Sequence, residues 1–511
     1  MKTDTSSRHI YNQSMSLLTD LYQLTMGYGY WKAGLDNKEA VFHLFFRRPP
    51  FQGGFTIAAG LAYVIDYLAN FHFDSSDLQY LASLKNPDDG PLFEEKFFDY
   101  LATLRFNCSL DAVPEGTVVF PYEPLIRVQG PLIMCQLLEG PLLNLINFSS
   151  LIATKAARMC IAAEGEPVLE FGLRRAQGVD GALTASRAAY IGGCESTSNL
   201  LAGKLFGIPV KGTHSHSWVM AFGDELEAFQ TYARCLPGNC VFLVDTYDSI
   251  EGVKKAIEVG KWLRAQGKKL LGIRLDSGDL AYLSILSRRL LDEAGFTETP
   301  IFASNELDET VIAELKRQGA QISVWGVGTN LVTAKGQPAL DGVYKLSAIR
   351  DPGKNWDYKL KLSEQMMKVS NPGILQVRRY SKAQENMADV IYDIHSDMSK
   401  KCYMIDPFDP TRQRILSPNL PYEDLLIPIF QEGKQVYESP SLGEIRKRTQ
   451  SQLLKFPVGV KRFLNPHQYA VGMEKTLYEK KVHLIQTIRS AMSRDFLISA
   501  DEKNSHSNGA P

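Results

Sequence analysis

The sequence has almost no net charge, and this excludes several kinds of partner. Its 511 residues include 56 lysines and arginines against 57 aspartates and glutamates, a formal net charge of −1 at pH 7. So balanced a chain has no overall field to attract a polyanion or an anionic surface. We therefore expect neither a nucleic acid nor a membrane as partner. The apolar content of 44% and the chain length predict two or three globular domains.

Cysteine and long apolar runs are also scarce. The seven cysteines form no Cys-x-x-Cys pair, and their odd number argues against a disulfide framework. Cysteine-ligated zinc is therefore not expected, and a reducing compartment fits. Residues Met1–Leu18 lack the apolar core of a signal peptide. The best apolar stretch, Gly53–Ile65, ends at Asp66 and is too short to cross a bilayer. We expect a cytoplasmic protein.

The most informative stretch that is present is Ile208–Trp218, which reads Ile-Pro-Val-Lys-Gly-Thr-His-Ser-His-Ser-Trp. An apolar pair runs into Gly212 and then into five polar residues that include His214 and His216. This pattern predicts a buried strand that delivers functional groups at its carboxyl end, where α/β proteins with parallel strands build their sites. Histidine is the side chain that titrates near neutrality, so a chemical role is expected here.

Short apolar runs recur from residue 168 onward, and helical patterns such as Ile250–Leu263 separate them. This alternation predicts βαβ units and a parallel sheet. Six consecutive runs are each followed by polar residues, which favours a barrel with one shared mouth over a doubly wound sheet with one switch point. The predicted strands are Val168–Phe171, Ile208–Val210, Val241–Val244, Leu270–Ile273, Ile301–Ala303 and Ile322–Val324.

The regions on either side of this repeat have other patterns. Leu17–Trp31 predicts an amphipathic helix, and Ala112–Leu138 predicts short strands. Leu138–Ala163 predicts a helix with Lys155 and Arg158 on its polar face. We place domains at 1–148, 149–350 and 351–498, followed by a disordered tail at 499–511. The proline-interrupted segment 408–438 predicts irregular structure without an assigned function.

Two motifs at predicted strand ends suit phosphates and carboxylates. Gly326-Val-Gly-Thr329 places glycine amides and a hydroxyl at a predicted helix start, where phosphate is commonly bound. Arg274 is followed by Asp276 and Asp279, and arginine grips carboxylates or phosphates while carboxylates suit ribose hydroxyls or magnesium. Together these motifs predict a pocket for a small anion beside a phosphorylated sugar.

Five segments in order along the chain resemble nicotinate phosphoribosyltransferases. The resemblance extends from about Leu18 to Val377, and the segment after about 380 matches least well. It implies a type II phosphoribosyltransferase fold: an irregular TIM-like α/β barrel, a β-rich α/β N-terminal domain completed by later chain, and a C-terminal extension. It also implies a homodimer with active sites at the subunit interface. The segments are Asp20–Met26, Phe171–Gln177, Gly203–His216, Arg274–Leu280 and Val324–Thr329.

The resemblance also implies a reaction and a cofactor. Nicotinate and 5-phosphoribosyl 1-pyrophosphate would form nicotinate mononucleotide and pyrophosphate, the first step of NAD biosynthesis from nicotinate. ATP would phosphorylate His216, and its hydrolysis would be coupled to the transfer. Magnesium would be bound mainly through pyrophosphate, with Asp279 as the protein residue that could contact it, and no protein metal cluster is expected.

Individual binding roles follow from the same resemblance. The nicotinate-binding residues would be Tyr22, Thr213, Arg274 and Phe171, with Arg274 facing the carboxylate and Tyr22 covering the ring from the other subunit. Phosphoribosyl pyrophosphate would be held by the phosphate-binding and ribose-binding residues Arg174, Asp276, Gly326, Gly328 and Thr329.

Three other functions compete with this interpretation. A metal-dependent hydrolase barrel would use His214 and His216 as ligands, but the next histidine, His395, lies beyond the repeat. A nicotinamide phosphoribosyltransferase would place a different residue next to the amide of its substrate than a nicotinate enzyme places next to the carboxylate. Arg274 alone does not decide between the two, because an arginine can also donate to an amide oxygen. A binding protein without activity would be expected to have lost His216 or the aspartates. The role of His214 stays open.

Overall fold

The computed structural model of the chain describes residues 14–365 and 368–507, with side chains as far as residue 491. The predicted domain 1–148 therefore begins, and the predicted tail 499–511 ends, outside the described residues. The N-terminal region begins with helices, continues with short strands and ends in a long helix. Its strands are β1 (Glu39–Phe46), β2 (Thr56–Ile57), β3 (Ser109–Ala112), β4 (Val118–Val119) and β5 (Ile126–Pro131); its helices are α1 (Leu21–Lys32), α2 (Leu61–Ala69), α3 (Ser75–Ala82), α4 (Glu95–Thr103), α5 (Leu132–Leu137) and α6 (Glu139–Ala162).

The central region alternates strands and helices, as the apolar periodicity predicts. Its strands are β6 (Val168–Glu170), β7 (Ser196–Thr197), β8 (Val241–Leu243), β9 (Gly272–Leu275), β10 (Ile301–Ala303) and β11 (Val324–Val327). Its helices are α7 (Gly178–Gly192), α8 (Leu200–Phe206), α9 (His216–Met220), α10 (Glu225–Cys235), α11 (Ser249–Ala265), α12 (Leu280–Glu293), α13 (Glu309–Arg317) and α14 (Thr329–Val332).

The C-terminal region consists mainly of strands. They are β12 (Gly342–Arg350), β13 (Asp357–Tyr358), β14 (Leu375–Lys382), β15 (Glu385–Asp393), β16 (Cys402–Ile405), β17 (Gln413–Leu416), β18 (Tyr422–Asp424), β19 (Ile427–Gln431), β20 (Lys434–Gln435) and β21 (Val471–Glu474), with helices α15 (Leu442–Leu454) and α16 (Lys475–Ser507). Four of these strands lie within 408–438, so the prediction of irregular structure there was wrong. Three of its prolines lie between strands, whereas Pro428 lies within β19 next to a register shift between Pro428 and Phe430, the kind of irregularity at which a sheet tolerates proline.

Three sheets organise these elements. A seven-stranded sheet has the order β13-β12-β1-β5-β3-β19-β20, and a six-stranded sheet of the C-terminal region has the order β17-β16-β21-β15-β14-β18. Strand β1 pairs antiparallel with β12, so that Glu39 faces Arg350. Four strands from beyond residue 340 therefore complete the sheet that the N-terminal region begins.

The third sheet is parallel and runs β7-β6-β11-β10-β9-β8. It forms a half-barrel, and the complete TIM-like barrel expected from the sequence is not confirmed. The segment expected as the strand Ile208–Val210 makes only a single parallel bridge, from Val210 to Thr197. Among the described residues no ladder joins this segment to β8. Proline at position 209 supplies no N–H, which limits pairing on this segment.

Helix α6 is the central core helix, and the cations on its polar face are buried. Lys155 and Arg158 are 4% and 3% exposed and lie 2.7 and 2.8 Å from the Glu309 carboxylate on α13. The sequence predicted these cations on the polar face of the helix, and the structure shows this face buried against α13, which supplies the counter-charge. The span Leu132–Ala162 is long and apolar enough to cross a membrane, and we missed it in the sequence; 61% of its most apolar window is buried inside the protein, as in a core helix.

The tail predicted as disordered at 499–511 is helical over its described residues, 499–507, as part of α16. Residues 475–508 contain neither proline nor glycine, so nothing in the local sequence ends the helix earlier. Residues 508–511 lie outside the described part of the chain.

Candidate functional site

A cavity of about 280 Å³ lies at the carboxyl ends of the half-barrel strands. In open parallel sheets ligands bind at this edge, because the loops that follow the strands converge there. The lining residues are Phe171, Arg174, Arg175, Ser198, Gly212, Thr213, His214, Ser215, Arg274, Asp276, Ser304, Asn305, Glu306, Gly326, Gly328 and Thr329. Eight residues predicted for nicotinate or phosphoribosyl pyrophosphate are among them.

Phe171 reaches the middle of the half-barrel because Gly326 leaves room for its ring. A Cβ atom at Gly326 would stand 2.9 Å from the Phe171 ring, and one at Gly328 would stand 3.4 Å from the Phe171 carbonyl oxygen. A larger residue at position 326 would displace the Phe171 ring, whereas a Cβ at position 328 would be in ordinary contact with the Phe171 backbone. The two glycines therefore shape the floor of the cavity.

The turn that carries Arg174 is held from below by a buried carboxylate. Glu170, 1% exposed, accepts hydrogen bonds from the backbone N–H of Gly172, from Ser186 Oγ at 2.8 Å and from Thr197 Oγ1 at 2.5 Å. These bonds fix the start of the single 3₁₀ turn Leu173–Arg175. Glu170 was not predicted as a functional residue, because an acidic residue at a strand end has no distinctive sequence pattern.

Arg274 lies on β9 and presents a cation to the cavity. Its Nη2 donates a hydrogen bond to the His214 carbonyl oxygen at 3.3 Å, whereas its buried Nε–H has no partner among the described residues. Burial lowers the pKa of Arg274 from its ordinary value, although Asp276 and Asp245 act in the opposite direction. Arginine keeps its charge in proteins even so. A partly buried guanidinium with a free N–H is a natural binding site for a carboxylate or phosphate, whose oxygen would accept that hydrogen bond.

Asp276 is held in place by its neighbours at two strand ends. Ser304 donates a hydrogen bond to its Oδ1, and Asp245 Oδ2 accepts from the Asp276 N–H at 2.9 Å and from Ser277 Oγ at 2.6 Å. The other carboxylate oxygen of Asp245 is buried and has no hydrogen-bond partner in the described part of the chain. From the sequence, Asp245 and Ser304 were only two of the polar residues that follow predicted strands. The structure shows that both position Asp276, because their strands lie next to β9.

The two histidines of the motif face different surroundings. His214 is 7% exposed, and its Nε2 accepts the Leu243 N–H at 3.3 Å. Burial lowers the pKa of His214 to about 4, so the ring is neutral and carries its proton on Nδ1. His216 has a side chain that is 40% exposed, with Nδ1 3.2 Å from the Thr246 hydroxyl and Nε2 3.8 Å from Asp276 Oδ2. The two rings therefore do not converge on one metal ion.

Besides His216, whose Nε2 lies 3.8 Å from the cavity residue Asp276, two further predicted residues do not line the cavity. Tyr22 lies on α1 and is 48% exposed. Asp279 precedes α12, where its carboxylate accepts the Tyr282 N–H at 3.0 Å as an N-cap. Their predicted roles in covering nicotinate and in contacting magnesium stay predictions.

Comparisons with known proteins agree with this geometry. Residues 17–147 match the family model of the nicotinate phosphoribosyltransferase N-terminal domain, and residues 375–481 match that of its C-terminal domain. The nicotinate phosphoribosyltransferase of Bacillus subtilis is 43% identical over 489 residues, covering 95% of this chain and 98% of that protein. The chain belongs to the nicotinate phosphoribosyltransferase family. The human family member is 35% identical over 90% of this chain and 95% of its own length.

Solved structures of nicotinate phosphoribosyltransferases include a similar fold. The human nicotinic acid phosphoribosyltransferase superposes with a TM-score of 0.78 at 33% identity, covering 92% of this chain and all of that one. A nicotinate-nucleotide pyrophosphorylase from Pyrococcus furiosus has a TM-score of 0.68 at 23% identity, covering 89% and 99%, which shows the fold alone. Membership of the family confirms that the chain is an enzyme, and the hydrolase and nicotinamide alternatives are not favoured.

Proposed function

We propose that this enzyme transfers the phosphoribosyl group of 5-phosphoribosyl 1-pyrophosphate to the ring nitrogen of nicotinate, with coupled hydrolysis of ATP. The observation that carries the proposal is the guanidinium of Arg274, whose buried Nε–H has no partner. A nicotinate carboxylate would satisfy this donor and neutralise the charge, whereas an amide would satisfy only the donor. Thr213 and Phe171 line the same cavity and would contact the ring.

The phosphorylated sugar would lie along the strand ends next to this base. Gly326 and Gly328 allow close approach to the backbone, and Thr329 and Arg174 add a hydroxyl and a cation to the same lining. Asp276, fixed by Ser304 and by the carboxylate of Asp245, would face the ribose hydroxyls.

The reaction balances as a displacement at the anomeric carbon. The nicotinate nitrogen forms a bond to C1 with its lone pair, and the C1–oxygen bond breaks with its electrons leaving on pyrophosphate. Positive charge develops on the ribose as that bond lengthens, and a fixed carboxylate beside it stabilises the transition state. Positioning of the two substrates supplies much of the remaining acceleration.

Magnesium would neutralise charge on the leaving pyrophosphate. Pyrophosphate oxygens would be most of the ligands of the magnesium ion. Oxygen donors suit this ion, and Asp245, whose Oδ1 has no partner among the described residues but which does not line the cavity, would supply one of them. Asp279 fits less well, since it caps α12.

We also propose that ATP phosphorylates His216. The half-exposed ring is open to a phosphoryl donor, and Thr246 at Nδ1 would orient it. When Thr246 accepts the Nδ1 proton, Nε2 holds a free lone pair that forms the bond to the γ-phosphorus as ADP departs. Attack of water on the phosphohistidine would then release phosphate and couple the two reactions.

A homodimer with shared sites completes the proposal. Helix α1 exposes Leu21, Tyr22 and Met26, which are 37–53% exposed. Further exposed apolar residues lie in the loops and helices of the half-barrel region, namely Leu173, Val179, Leu200, Leu201, Leu205, Met220, Tyr247 and Tyr282, all 47–75% exposed. Apolar surfaces of this extent commonly mark protein interfaces. Pairing α1 of one copy with the rim of another would bring Tyr22 to the partner's cavity.

The deciding experiment measures product formation from phosphoribosyl pyrophosphate and either base, with and without ATP and magnesium. We expect nicotinate mononucleotide to form faster with ATP, and little product from nicotinamide. A preference for nicotinamide would overturn the carboxylate role of Arg274, and no transfer from either base would overturn the proposed reaction.

A further inference from the structure

We propose a second anion site, at which this chain binds a nucleoside phosphate outside the half-barrel. The site is a cavity of about 650 Å³ between the loop that joins β12 to β13, the turn after β15 and the side of α16. Its lining residues are Arg350, Lys354, Asn355, Trp356, Asp357, Tyr358, His395, Lys480, His483 and Leu484. We call it the α16 cavity. The proposal does not depend on the reaction at the barrel mouth.

The first argument is the charge of the lining. Lys354 and Lys480 make no ion pair or hydrogen bond through their ammonium groups among the described residues, and the rings of His395 and His483 likewise have no polar partner there. The single carboxylate of the lining, Asp357, pairs with Lys359. The chain as a whole has a net charge of −1, so this excess of positive charge is a property of the cavity and not of the whole protein. A concave surface with charges of one sign concentrates counter-ions of the opposite sign.

The second argument is a rigid aromatic wall beside those cations. Trp356 is half-buried and packs on a small apolar cluster of Val41, Ala348 and Ile374. The Arg350 guanidinium lies 4.2 Å from the Trp356 ring centroid and is itself fixed by Glu39, at 2.6 Å from Nε and 2.5 Å from Nη2. The pair holds the indole in a set orientation.

Tyr358 adds a second ring to the wall. Lys480 Nζ lies 5.0 Å from its centroid, and the phenol lies near the buried carboxylate of Asp393. Burial and that carboxylate raise the pKa of Tyr358 well above its ordinary value, so the phenol is neutral and adds no charge that would repel an anion.

These two features together point to one chemical class. Free ammonium groups bind phosphate as point charges, and fixed aromatic rings stack on a planar base. An inorganic anion would use only the cations, and an uncharged nucleoside would use only the rings. A nucleoside di- or triphosphate uses both, and a cavity of this size is within the usual range for small-molecule sites.

The test counts nucleotide sites on the full-length enzyme by equilibrium dialysis with ATP, and compares two charge-matched double variants. Lys354→Ala with Lys480→Ala removes the free cations of the α16 cavity. Lys261→Ala with Lys268→Ala removes two exposed lysines on or just after the outer helix α11. We expect the unmodified enzyme and the α11 variant to bind one ATP more per chain than the cavity variant. Residual weak binding should show a dissociation constant raised by about tenfold or more.

A second measurement separates the aromatic wall from the cations. Trp356→Phe should weaken ATP binding at this site while leaving binding of tripolyphosphate unchanged, because the phosphate chain does not stack. Adenosine alone should bind weakly to every variant. Equal ATP stoichiometry in the unmodified enzyme and in both double variants would overturn the proposal. The proposal would also be overturned if the number of ATP molecules bound per chain fell as much in the α11 variant as in the cavity variant. Nicotinate turnover, measured in parallel, reports separately on the barrel mouth.

Discussion

The Nε2 atom of His216 lies 3.8 Å from Oδ2 of Asp276, although the two residues are sixty positions apart. His216 is the first residue of α9, and Asp276 follows β9 directly. The proposed phosphorylated residue and the proposed ribose-binding carboxylate therefore share one end of the half-barrel. A negative phosphoryl group on that ring would lie close to a carboxylate, so each state of the histidine would change the field at the sugar site.

Substitution of His216 should separate ATP hydrolysis from transfer. His216→Ala removes the proposed phosphoryl acceptor, so we expect ATP stimulation to disappear and affinity for phosphoribosyl pyrophosphate to fall while slow ATP-independent transfer remains. The measurement is initial rate with and without ATP. His467→Ala, at an exposed histidine far along the chain, is the matched control. Undiminished ATP stimulation in His216→Ala would refute the phosphohistidine assignment.

Removal of Arg274 should weaken the use of nicotinate. A lost charge-assisted contact costs about 1.5–3 kcal/mol, so Arg274→Ala should lower kcat/KM for nicotinate by about ten- to a hundredfold and change the rate with nicotinamide much less. Arg234→Ala, an exposed arginine at the end of α10, should behave like the unmodified enzyme. Wild-type kinetics in Arg274→Ala would assign the carboxylate to another residue.

Mixed dimers test whether a site draws on two chains. Tyr22→Ala and His216→Ala should each be impaired alone, yet co-expressed chains should recover activity, because one of the two sites in a mixed dimer has both residues intact. The readout is activity of isolated heterodimers carrying two different affinity tags. Activity no higher than that of the parent variants would place Tyr22 outside the partner's site.

His214 should make stability depend on pH. Its pKa of about 4 in the folded state is below the value of about 6.5 expected for an unfolded chain, so the unfolded state binds more protons between those values. Stability should therefore be full above about pH 6.5 and fall as the pH drops towards 4, by up to about 3 kcal/mol from this residue. Burial also lowers the pKa of His43, so the unmodified enzyme includes both contributions.

The variant His214→Gln isolates the first of these two histidines. Glutamine can still accept the Leu243 N–H, but it does not titrate. Urea unfolding at several pH values should show a shallower loss of stability than in the unmodified enzyme, with the His43 contribution common to both. If the free energy of unfolding fell with decreasing pH to the same extent in both proteins, His214 would not be held neutral in the folded state.

Glu309 should be important for stability rather than for chemistry. Burial raises the pKa of its carboxyl group, but Lys155 and Arg158 more than offset this and lower it overall. Glu309→Gln leaves two buried cations without a counter-charge, which typically costs about 3–5 kcal/mol. Glu314→Gln, at an exposed position of the same helix, is the control. Similar denaturation midpoints for both variants would contradict this role.

The sequence predicted the fold best where patterns are local. Strands β8 and β10 were found, as the predicted runs Val241–Val244 and Ile301–Ala303, because buried parallel strands appear as short apolar runs. The two-residue strand β7, Ser196–Thr197, has no such run and was missed. The buried ion pairs of Lys155 and Arg158 were not predicted because their partner, Glu309, is about 150 residues away in the sequence.

For the candidate site too, the sequence predicted the residues of local motifs and missed those that depend on contacts between strands. Arg274 and Thr329 belong to motifs that are contiguous in sequence, so they were identified directly. Asp245 and Ser304 act only through contacts with Asp276 across neighbouring strands. Single aspartates and serines at strand ends are too common to reveal such contacts. The position of Tyr22 outside the cavity of its own chain follows from tertiary structure, which no local pattern encodes.

The pairing of β1 with β12 has a consequence for biosynthesis. Glu39 leaves the ribosome some three hundred residues before its partner Arg350. The sequence separation between β3 and its partner strand β19 is slightly larger. At translation rates of about 5–20 residues per second, the apolar strand β1 has one edge without its native neighbour for tens of seconds. Unpaired edges invite association with other chains. This architecture therefore predicts a nascent chain that depends on chaperones until most of its sequence has emerged.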